Sequence, residues 1–582
     1  MIDNITKNFK MKKIFISTLL LSHLIINAQN KWLTPFEKGN GNTTPTYEEI
    51  ILYYTQLSNA FKTLKIEKMG TTDAGFPIHI ITFDALGKFD MSGKTKLHVL
   101  INNNIHAGEP DGIDASMMYM RDLAQGKIKG VENVIISCIA VYSVGGTFNR
   151  GAYSRANQNG PEMYGFRANA RNYDLNRDFI KSDTKNAKTF AKIFHKYYPD
   201  VFIDNHVSNG ADYQYTLTII ETHPDRLGNQ IGSYLRTSFT PNIQKNLLDK
   251  GVISIPYVNS FGPTPEKGIT QFIDYGRYST GYASLFHTIG YMPETHMLKP
   301  YADRVKVTYD FTVETIKEAN KNFQQIKKLK NESHKNYTPG STYPLTWTVD
   351  QSQYDEIEFL GYEASYKPSE VSGKDRLYYD RSKPFVKTIP YYNKLKNSKF
   401  TTIPSYYIIP KAQHHVVELL QLNQIKMVPF KKDTILEVEK YKIKSFTTAQ
   451  NPYEGHYIHS NTEVEKSTTS IKFQKGDFLV PTQQKGVKYL LETLEPEAYD
   501  SFFNWNFFDT YLQTKEHFSA YVFEDIAAEL LKNDPKLRQD LEAKKAEDQK
   551  FAESAAEQLR FIYTRSPYYE KEHMSYPIYR VK

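Results

Sequence analysis

The 582-residue chain is poor in cysteine, and its one thiol, Cys138, excludes any disulfide within the chain. Cys138 lies in an apolar run that predicts a buried strand, so we expect it to pack as a small apolar group and not to act as a nucleophile. Internal repeats and low-complexity tracts are missing as well. The net charge is only +8, and the basic residues are scattered. Such a balance is typical of a solvated surface, and we predict no nucleic-acid partner.

The apolar run near the amino terminus is too short to span a membrane. It extends from Ile14 to Ile26, which is 13 residues (26 − 14 + 1), against the ~18 expected of a spanning helix. Lysines precede it and Ala28 follows, which predicts a secretory signal peptide over residues 1–28. We therefore expect an exported protein without stable membrane insertion after signal removal. Because the exported chain lacks disulfides, a bacterial periplasm or outer surface suits it best.

Two apolar runs end at residues that can bind a metal. Leu97–Ile101 predicts a buried strand and leads to His106 and Glu109, while a second strand-like run ends at His206. A catalytic zinc needs three such ligands and one open position. Taken singly, each residue is more typical of an ordinary loop or of a hydrogen-bonded core histidine. The three together favour a zinc site.

Further polar residues complete the pattern. Asn176 and Arg177 place an amide beside a guanidinium, a pair that can grip a carboxylate, although a turn with a surface salt bridge would carry the same residues. Glu294 lies at the end of the apolar run that begins at Gly290, and it is the candidate general base. His296 follows closely and can compete as a metal ligand.

The chain resembles the zinc carboxypeptidases of the carboxypeptidase A type. The resemblance lies in these elements and their order, which is H-x-x-E, D-x-N-R, H and a late Glu. The resemblance implies one zinc ion per chain, bound by His106, Glu109 and His206. It implies that Asp174 orients the first histidine and that Asn176 with Arg177 binds the terminal carboxylate of a substrate. Glu294 would take a proton from a zinc-activated water and pass it to the leaving amine.

The resemblance also implies an arginine that polarises the scissile carbonyl and a mobile tyrosine that covers the substrate. Arg155, in the sequence Ser-Arg-Ala-Asn, matches the arginine. Other arginines compete for that role, namely Arg150, Arg167 and Arg171. Tyr278 is the candidate tyrosine, and its neighbour Arg277 is a further candidate for the carboxylate pocket.

The length predicts more than one domain. Residues 29–330 alternate strand-like and helical patterns, which predicts an α/β catalytic domain with a mixed central sheet and helices on both faces. Residues 331–344 contain a Pro-Gly-Ser turn and are the predicted linker. We expect a β-rich accessory region at 345–485 and a mainly helical region at 486–582.

The expected function is a zinc metallocarboxypeptidase that removes residues from the carboxyl end of peptides. Two alternatives stay open on the same residues. One is an amidase or deacylase that acts on cell-wall peptides or acyl-amino acids. The other is a protein that binds peptide or glycan ends without turnover.

Overall fold

The computed structural model describes residues 32–92 and 95–582, so the predicted signal peptide lies outside the described residues. Within these two ranges, no helix has both the length and the apolar character needed to cross a bilayer.

A mixed nine-stranded sheet forms the framework of the amino-terminal half. Its strands are β1 (Leu64–Met69), β2 (Ile78–Asp84), β3 (Leu97–Asn102), β4 (Val134–Ile139), β5 (Val201–Asp204), β6 (His206–Ser208), β7 (Leu217–Glu221), β8 (Ser254–Pro256) and β11 (Ile289–His296), with β9 (Asn259–Ser260) and β10 (Ile269–Thr270) outside it. The strand order is β1-β2-β4-β3-β5-β11-β7-β8, and β6 pairs with β11. β4, β3, β5 and β11 run parallel to one another, whereas β1, β2 and β7 pair antiparallel with their neighbours toward the centre of the sheet.

The helices of this half pack on the sheet, and some of them begin at polar caps. They are α1 (Pro35–Lys38), α2 (Tyr47–Ala60), α3 (Asp111–Ala124), α4 (Val144–Phe148), α5 (Lys185–Tyr197), α6 (Pro224–Leu227), α7 (Asn229–Tyr234), α8 (Thr240–Leu248), α9 (Ser279–Ser284), α10 (Tyr301–Lys321) and α11 (Phe323–Ser333). Thr46 and Glu49 form a capping box at α2, and the Thr184 hydroxyl accepts the Ala187 N–H at α5. Each cap satisfies backbone donors that the first turn leaves free.

Both faces of the sheet are covered. Along β3, Val99 and Ile101 pack in one core with α2, α3 and α10. Leu100, which points to the opposite face, packs in a second core with α5 and α9. Burial on both faces explains why β3 and β5 read as continuous apolar runs. The predicted mixed sheet with helices on both faces is confirmed.

The carboxyl ends of three parallel strands bring the polar residues together. β3 and β5 pair in a register that sets Asn102 opposite Asp204, and β11 pairs with β6 so that Glu294 lies opposite His206. The loop with His106 follows β3 directly. One edge of the sheet therefore carries the zinc-ligand candidates and the late glutamate.

The carboxyl-terminal half contains a second set of elements. The strands are β12 (Thr342–Pro344), β13 (Trp347–Val349), β14 (Asp355–Pro368), β15 (Asp375–Tyr392), β16 (Leu395–Asn397), β17 (Phe400–Thr402), β18 (Tyr406–Ile409), β19 (Val428–Pro429), β20 (Thr434–Thr448), β21 (His459–Phe473), β22 (Phe478–Pro481) and β23 (Ser575–Val581). The helices are α12 (His414–Leu422), α13 (Val487–Leu494), α14 (Ala520–Asn533), α15 (Pro535–Glu547), α16 (Gln549–Ala552) and α17 (Ala555–Tyr563).

This second half is packed firmly against the first. A six-stranded sheet has the order β19-β22-β18-β23-β20-β21, so β23, from the end of the helical stretch, lies inside it. The core on the α5 side of the large sheet continues into Tyr407, Leu490 and Trp505. The β14–β15 hairpin extends a sheet with β10 and β9. Residues after the predicted linker therefore share a core with the large sheet and a small sheet with β9 and β10.

Candidate metal centre and active site

Three buried side chains converge at the sheet edge. His106 and Glu109 come from the loop after β3, and His206 is the first residue of β6. One ligand atom of each lies within 4.8 Å of the others, and this is the one such group among the residues that the structure describes. Glu109 Oε1 is 3.2 Å from His106 Nδ1, and its Oε2 is 3.3 Å from His206 Nδ1. The three fit a single cation.

The far side of each imidazole is held by a carboxylate. His106 Nε2 lies 2.8 Å from Asp174 Oδ1, and His206 Nε2 lies 3.0 Å from Asp204 Oδ2. Nε2–H therefore donates in both rings, which leaves the Nδ1 lone pairs aimed at the shared position. His106 Nδ1 is buried without a hydrogen-bond partner in the protein. This is the arrangement of metal-binding histidines with carboxylate partners.

The electrostatics favour an ionised Glu109. Burial acts to raise its pKa, but His106 and Arg155 outweigh burial and hold the pKa well below its usual range. Arg155 Nη1 donates to Oε1 at 2.7 Å, and the Val207 N–H donates to Oε2 at 2.9 Å. Burial acts to lower the pKa of His206, but Asp204 outweighs burial and raises the pKa well above its usual value, so a proton competes with a cation for Nδ1. The metal group therefore includes a charged carboxylate, which favours a cation.

Glu294 borders the same group. Burial raises the pKa of its carboxyl to about 7, and the negative charge of Glu109 adds to the rise. A carboxyl that titrates near neutrality can both accept and donate a proton at physiological pH. Glu294 thus has the chemistry expected of a general base.

The D-x-N-R segment forms one turn of 3-10 helix, Leu175–Arg177, at the cleft. Asp174 caps this turn by accepting the Asn176 N–H at 2.9 Å. Asn176 is buried, and its Oδ1 accepts the Ser279 N–H at 3.0 Å. The partly exposed Arg177 guanidinium lies 4.7 Å from the centre of the Tyr278 ring. The structure therefore places Asn176, Arg177 and Tyr278 along one wall.

Two arginines border the metal group in different ways. Arg155 is largely enclosed, because Nη1 donates to Glu109 and Nη2 donates to the Val207 carbonyl at 3.0 Å. Arg167 donates to Asp174 Oδ2 through Nη2 at 2.8 Å, and 44% of its side-chain surface is exposed. Its Nη1 lies 3.5 Å from Glu109 Oε1. Both line the cleft.

The other arginines considered from the sequence lie elsewhere. Arg150 donates to two backbone carbonyls, and Arg171 lies over the ring of Tyr173. Arg277 is buried and forms an ion pair of 2.6 Å with Asp500, in the carboxyl-terminal half. Arg277 therefore joins the two halves of the molecule and does not border the cleft.

His296, the possible competing ligand, does not face the metal group. Its Nδ1 accepts the Leu298 N–H at 3.1 Å, and its Nε2 donates to the Ala211 carbonyl at 2.8 Å. Burial lowers its pKa to about 4, in keeping with a neutral ring. Both nitrogens have protein partners.

The residues enclose a cleft of about 280 Å³. Besides the metal group and the arginines, it is lined by Asn176, Val207, Ser208, Asn209, Ile220, Tyr257, Phe272, Tyr278, Met292 and Glu294. The cleft therefore combines cationic donors, apolar side chains and a potential metal site.

Comparison with known proteins agrees with this geometry. Carboxypeptidase 2 of Trichophyton rubrum and that of Trichophyton equinum are each 22% identical to this chain over 427 residues, which cover 70% of this chain and 73% of theirs. The chain is thus similar in sequence to these two carboxypeptidases. This sequence similarity confirms the resemblance seen in the motifs. No protein-family model matches the chain.

Among solved structures, carboxypeptidase A of Helicoverpa armigera is similar at 12% identity, with a TM-score of 0.38. The similarity covers 54% of this chain and 81% of that one.

Two features of the site were not expected from the sequence. Asp204 supports His206, and the Asn102 amide in turn donates to Asp204 Oδ1 at 2.9 Å. An Asp two residues before a metal-binding His in an extended segment shares its face, so the spacing alone offered a signal. The position of Arg167 against Asp174 offered no such signal, because it depends on how a loop folds back.

Proposed function

We propose that this protein is a zinc-dependent metallocarboxypeptidase that hydrolyses the carboxyl-terminal peptide bond of its substrates. One observation carries the proposal. The Nδ1 atoms of His106 and His206 face Glu109, while carboxylates hold their Nε2 atoms, in a cleft that also presents Arg177.

The donor set suits zinc. Two imidazoles and one carboxylate are a known ligand set of catalytic zinc sites, which keep a fourth position open. When bound, zinc supplies Lewis acidity to the peptide carbonyl and lowers the pKa of water to about 7. His106, Glu109 and His206 would hold one such ion per chain.

Glu294 moves the proton in this proposal. Its carboxylate takes a proton from the attacking water and hands it to the leaving amine. The raised pKa supports both steps, because a carboxylate that titrates near neutrality can accept a proton from the activated water and then release it to the more basic amine.

The Asn176 and Arg177 pair makes the cleavage exo rather than endo. A guanidinium and an amide can bind the two oxygens of a terminal carboxylate. A peptide bond in mid-chain offers no charge at that position. We propose that Tyr278, which packs beneath Arg177, lines the same subsite.

The cleft also bears on side-chain preference. Its apolar lining residues include Val207, Ile220, Phe272 and Met292. Its acidic ones are Glu109 and Glu294, both already assigned roles. A basic terminal residue would therefore find no free carboxylate among the lining residues. We propose a preference for apolar carboxyl-terminal residues.

Arg155 and Arg167 are both candidates to stabilise the oxyanion that forms at the carbonyl. The two hydrogen bonds of Arg155 to protein acceptors favour a role in holding Glu109. The larger exposed surface of Arg167 favours contact with substrate. Variants at each position separate the two roles.

The test is a mass-spectrometric inventory of products. Purified wild-type protein and Glu294→Gln, both with measured zinc content, are incubated with a mixture of peptides. We expect stepwise loss of carboxyl-terminal residues by wild type alone. Release only from cell-wall peptides or acyl-amino acids would favour an amidase, and bound zinc without any hydrolysis would favour a binding protein.

We also propose that the protein is exported. The proposal depends on the charged and apolar pattern of residues 1–28. Amino-terminal sequencing of the protein from the periplasmic or secreted fraction should give a mature chain that begins near Gln29. An intact amino terminus in the cytoplasm would contradict export.

A further inference from the structure

A tight turn from the carboxyl-terminal half reaches the back of the metal site. It lies between β20 and β21 and comprises Tyr453, Glu454, Gly455 and His456. The backbones of Tyr453 and His456 bond to each other in both directions, at 2.8 and 3.1 Å. Glu454 and Gly455 have φ values of 48° and 81°. These angles are those of a turn that favours Asn or Gly at its first central position, so a glutamate there is unfavourable for the turn itself.

The glutamate has a specific contact. Its Oε2 accepts the backbone N–H of Asp174 at 2.8 Å. Asp174 is the residue whose side chain holds His106 Nε2 on one oxygen and Arg167 on the other. Glu454 therefore fixes the backbone from which the support of a metal ligand projects.

Other contacts seat the turn on the same segment. His456 Nε2 lies 2.7 Å from Asp183 Oδ2, and Asp183 also receives Lys181 Nζ at 2.6 Å. Gly455 lies so close to Tyr173 that a Cβ on it would be 2.8 Å from the tyrosine oxygen. The turn is thus held in place independently of Glu454, which lets Glu454 be altered alone.

We propose that Glu454 is a positioning residue for the metal centre, supplied by the accessory half of the chain. It acts through Asp174 to hold His106 in the orientation that presents Nδ1 to the cation. The proposal depends on the proposed function only in taking the cation to be zinc. It also accounts for a glutamate at a position where the turn favours Asn or Gly.

The decisive variant is Glu454→Asn. Asparagine suits the turn better than glutamate but is one methylene too short to reach Asp174. If the residue serves only the turn, the variant should bind zinc as wild type does and unfold at the same or a higher temperature. If Glu454 positions Asp174, the zinc dissociation constant of Glu454→Asn should rise about three- to tenfold. This rise is smaller than the one expected when a direct hydrogen-bond partner of a metal ligand is removed.

Three further proteins complete the experiment. Glu454→Gln keeps an acceptor oxygen and should bind zinc with wild-type affinity. Glu454→Ala should weaken zinc binding as Glu454→Asn does. Glu465→Ala, at an exposed glutamate of β21, is the matched control and should change nothing. Affinity is measured by competition with a chromophoric chelator, and folding of each metal-free variant by circular dichroism.

These measurements distinguish failure of the positioning role of Glu454 from failure of the proposed peptidase function. Wild-type affinity in Glu454→Asn and Glu454→Ala would overturn the positioning role while leaving peptide hydrolysis by wild type intact. Weakened zinc binding in these variants, with no peptide hydrolysed by wild type, would support the positioning role and refute the carboxypeptidase assignment. Absence of zinc binding by wild type would overturn both.

Discussion

Asp204→Asn is the most informative change at the metal centre. Asp204 is buried and receives two donors, the Asn102 amide on Oδ1 at 2.9 Å and His206 Nε2 on Oδ2 at 3.0 Å. An asparagine has one acceptor oxygen, so it cannot serve both. Either the Asn102 amide loses its acceptor or the new amide N–H faces His206 and forces the proton onto Nδ1. The second outcome blocks the nitrogen that binds the metal.

The expected loss is large enough to measure. Removal of a carboxylate partner from a metal-binding histidine typically costs 10- to 100-fold in metal affinity, which is about 1.4 to 2.8 kcal/mol. Competition with a chelator of known affinity measures it directly, and activity at saturating zinc shows whether the occupied site still works.

Asp375→Asn serves as the control, because Asp375 is exposed in the β14–β15 hairpin, away from the metal group. It should bind zinc as wild type does. If Asp204→Asn also bound zinc within a factor of two of wild type, the inference that Asp204 fixes the tautomer of His206 would be refuted.

Four more outcomes are expected. Glu294→Gln should lower kcat by about 10² to 10⁴ with zinc content unchanged, and equal activity in both proteins would remove Glu294 from the mechanism. Since Glu294 must be ionised to accept a proton, kcat/KM should rise with pH. The positive charge of zinc lowers the pKa of Glu294 from about 7, so a pH profile with its midpoint above 7 would contradict the assignment. Arg177→Ala should raise KM about 10- to 100-fold for free peptides and leave peptides with amidated carboxyl ends unaffected, whereas an equal effect on both would show that Arg177 does not read the carboxylate. Arg155→Lys should weaken zinc binding, because Glu109 Oε1 loses its guanidinium donor. Arg167→Lys should instead lower kcat at full zinc occupancy. The reverse pattern would exchange the two roles.

Local sequence predicted the parts of the site that follow strands. His106 and His206 come at the ends of apolar runs, and buried parallel strands must deliver their ends to one edge of the sheet. The central sheet and the helices on both of its faces follow from the alternation of strand-like and helical patterns. These features depend on residues that are near one another in the chain.

The rest depends on contacts between distant segments. Glu454 lies 280 residues from Asp174 along the chain, and nothing in the residues around either one indicates their hydrogen bond. Arg277 directly precedes Tyr278, which lines the cleft, yet it is paired with Asp500 because the carboxyl-terminal half packs against that wall. Such pairings arise from how the two halves fit together, which no local pattern encodes.

Zinc K-edge X-ray absorption on the metal-loaded protein tests the central claim most directly. A single zinc held by His106, Glu109 and His206 should show two imidazole ligands and oxygen donors at about 2.0–2.2 Å. The His206→Ala variant should lose one imidazole or the metal itself. A spectrum without imidazole scattering, or one that His206→Ala leaves unchanged, would contradict the assignment of this site.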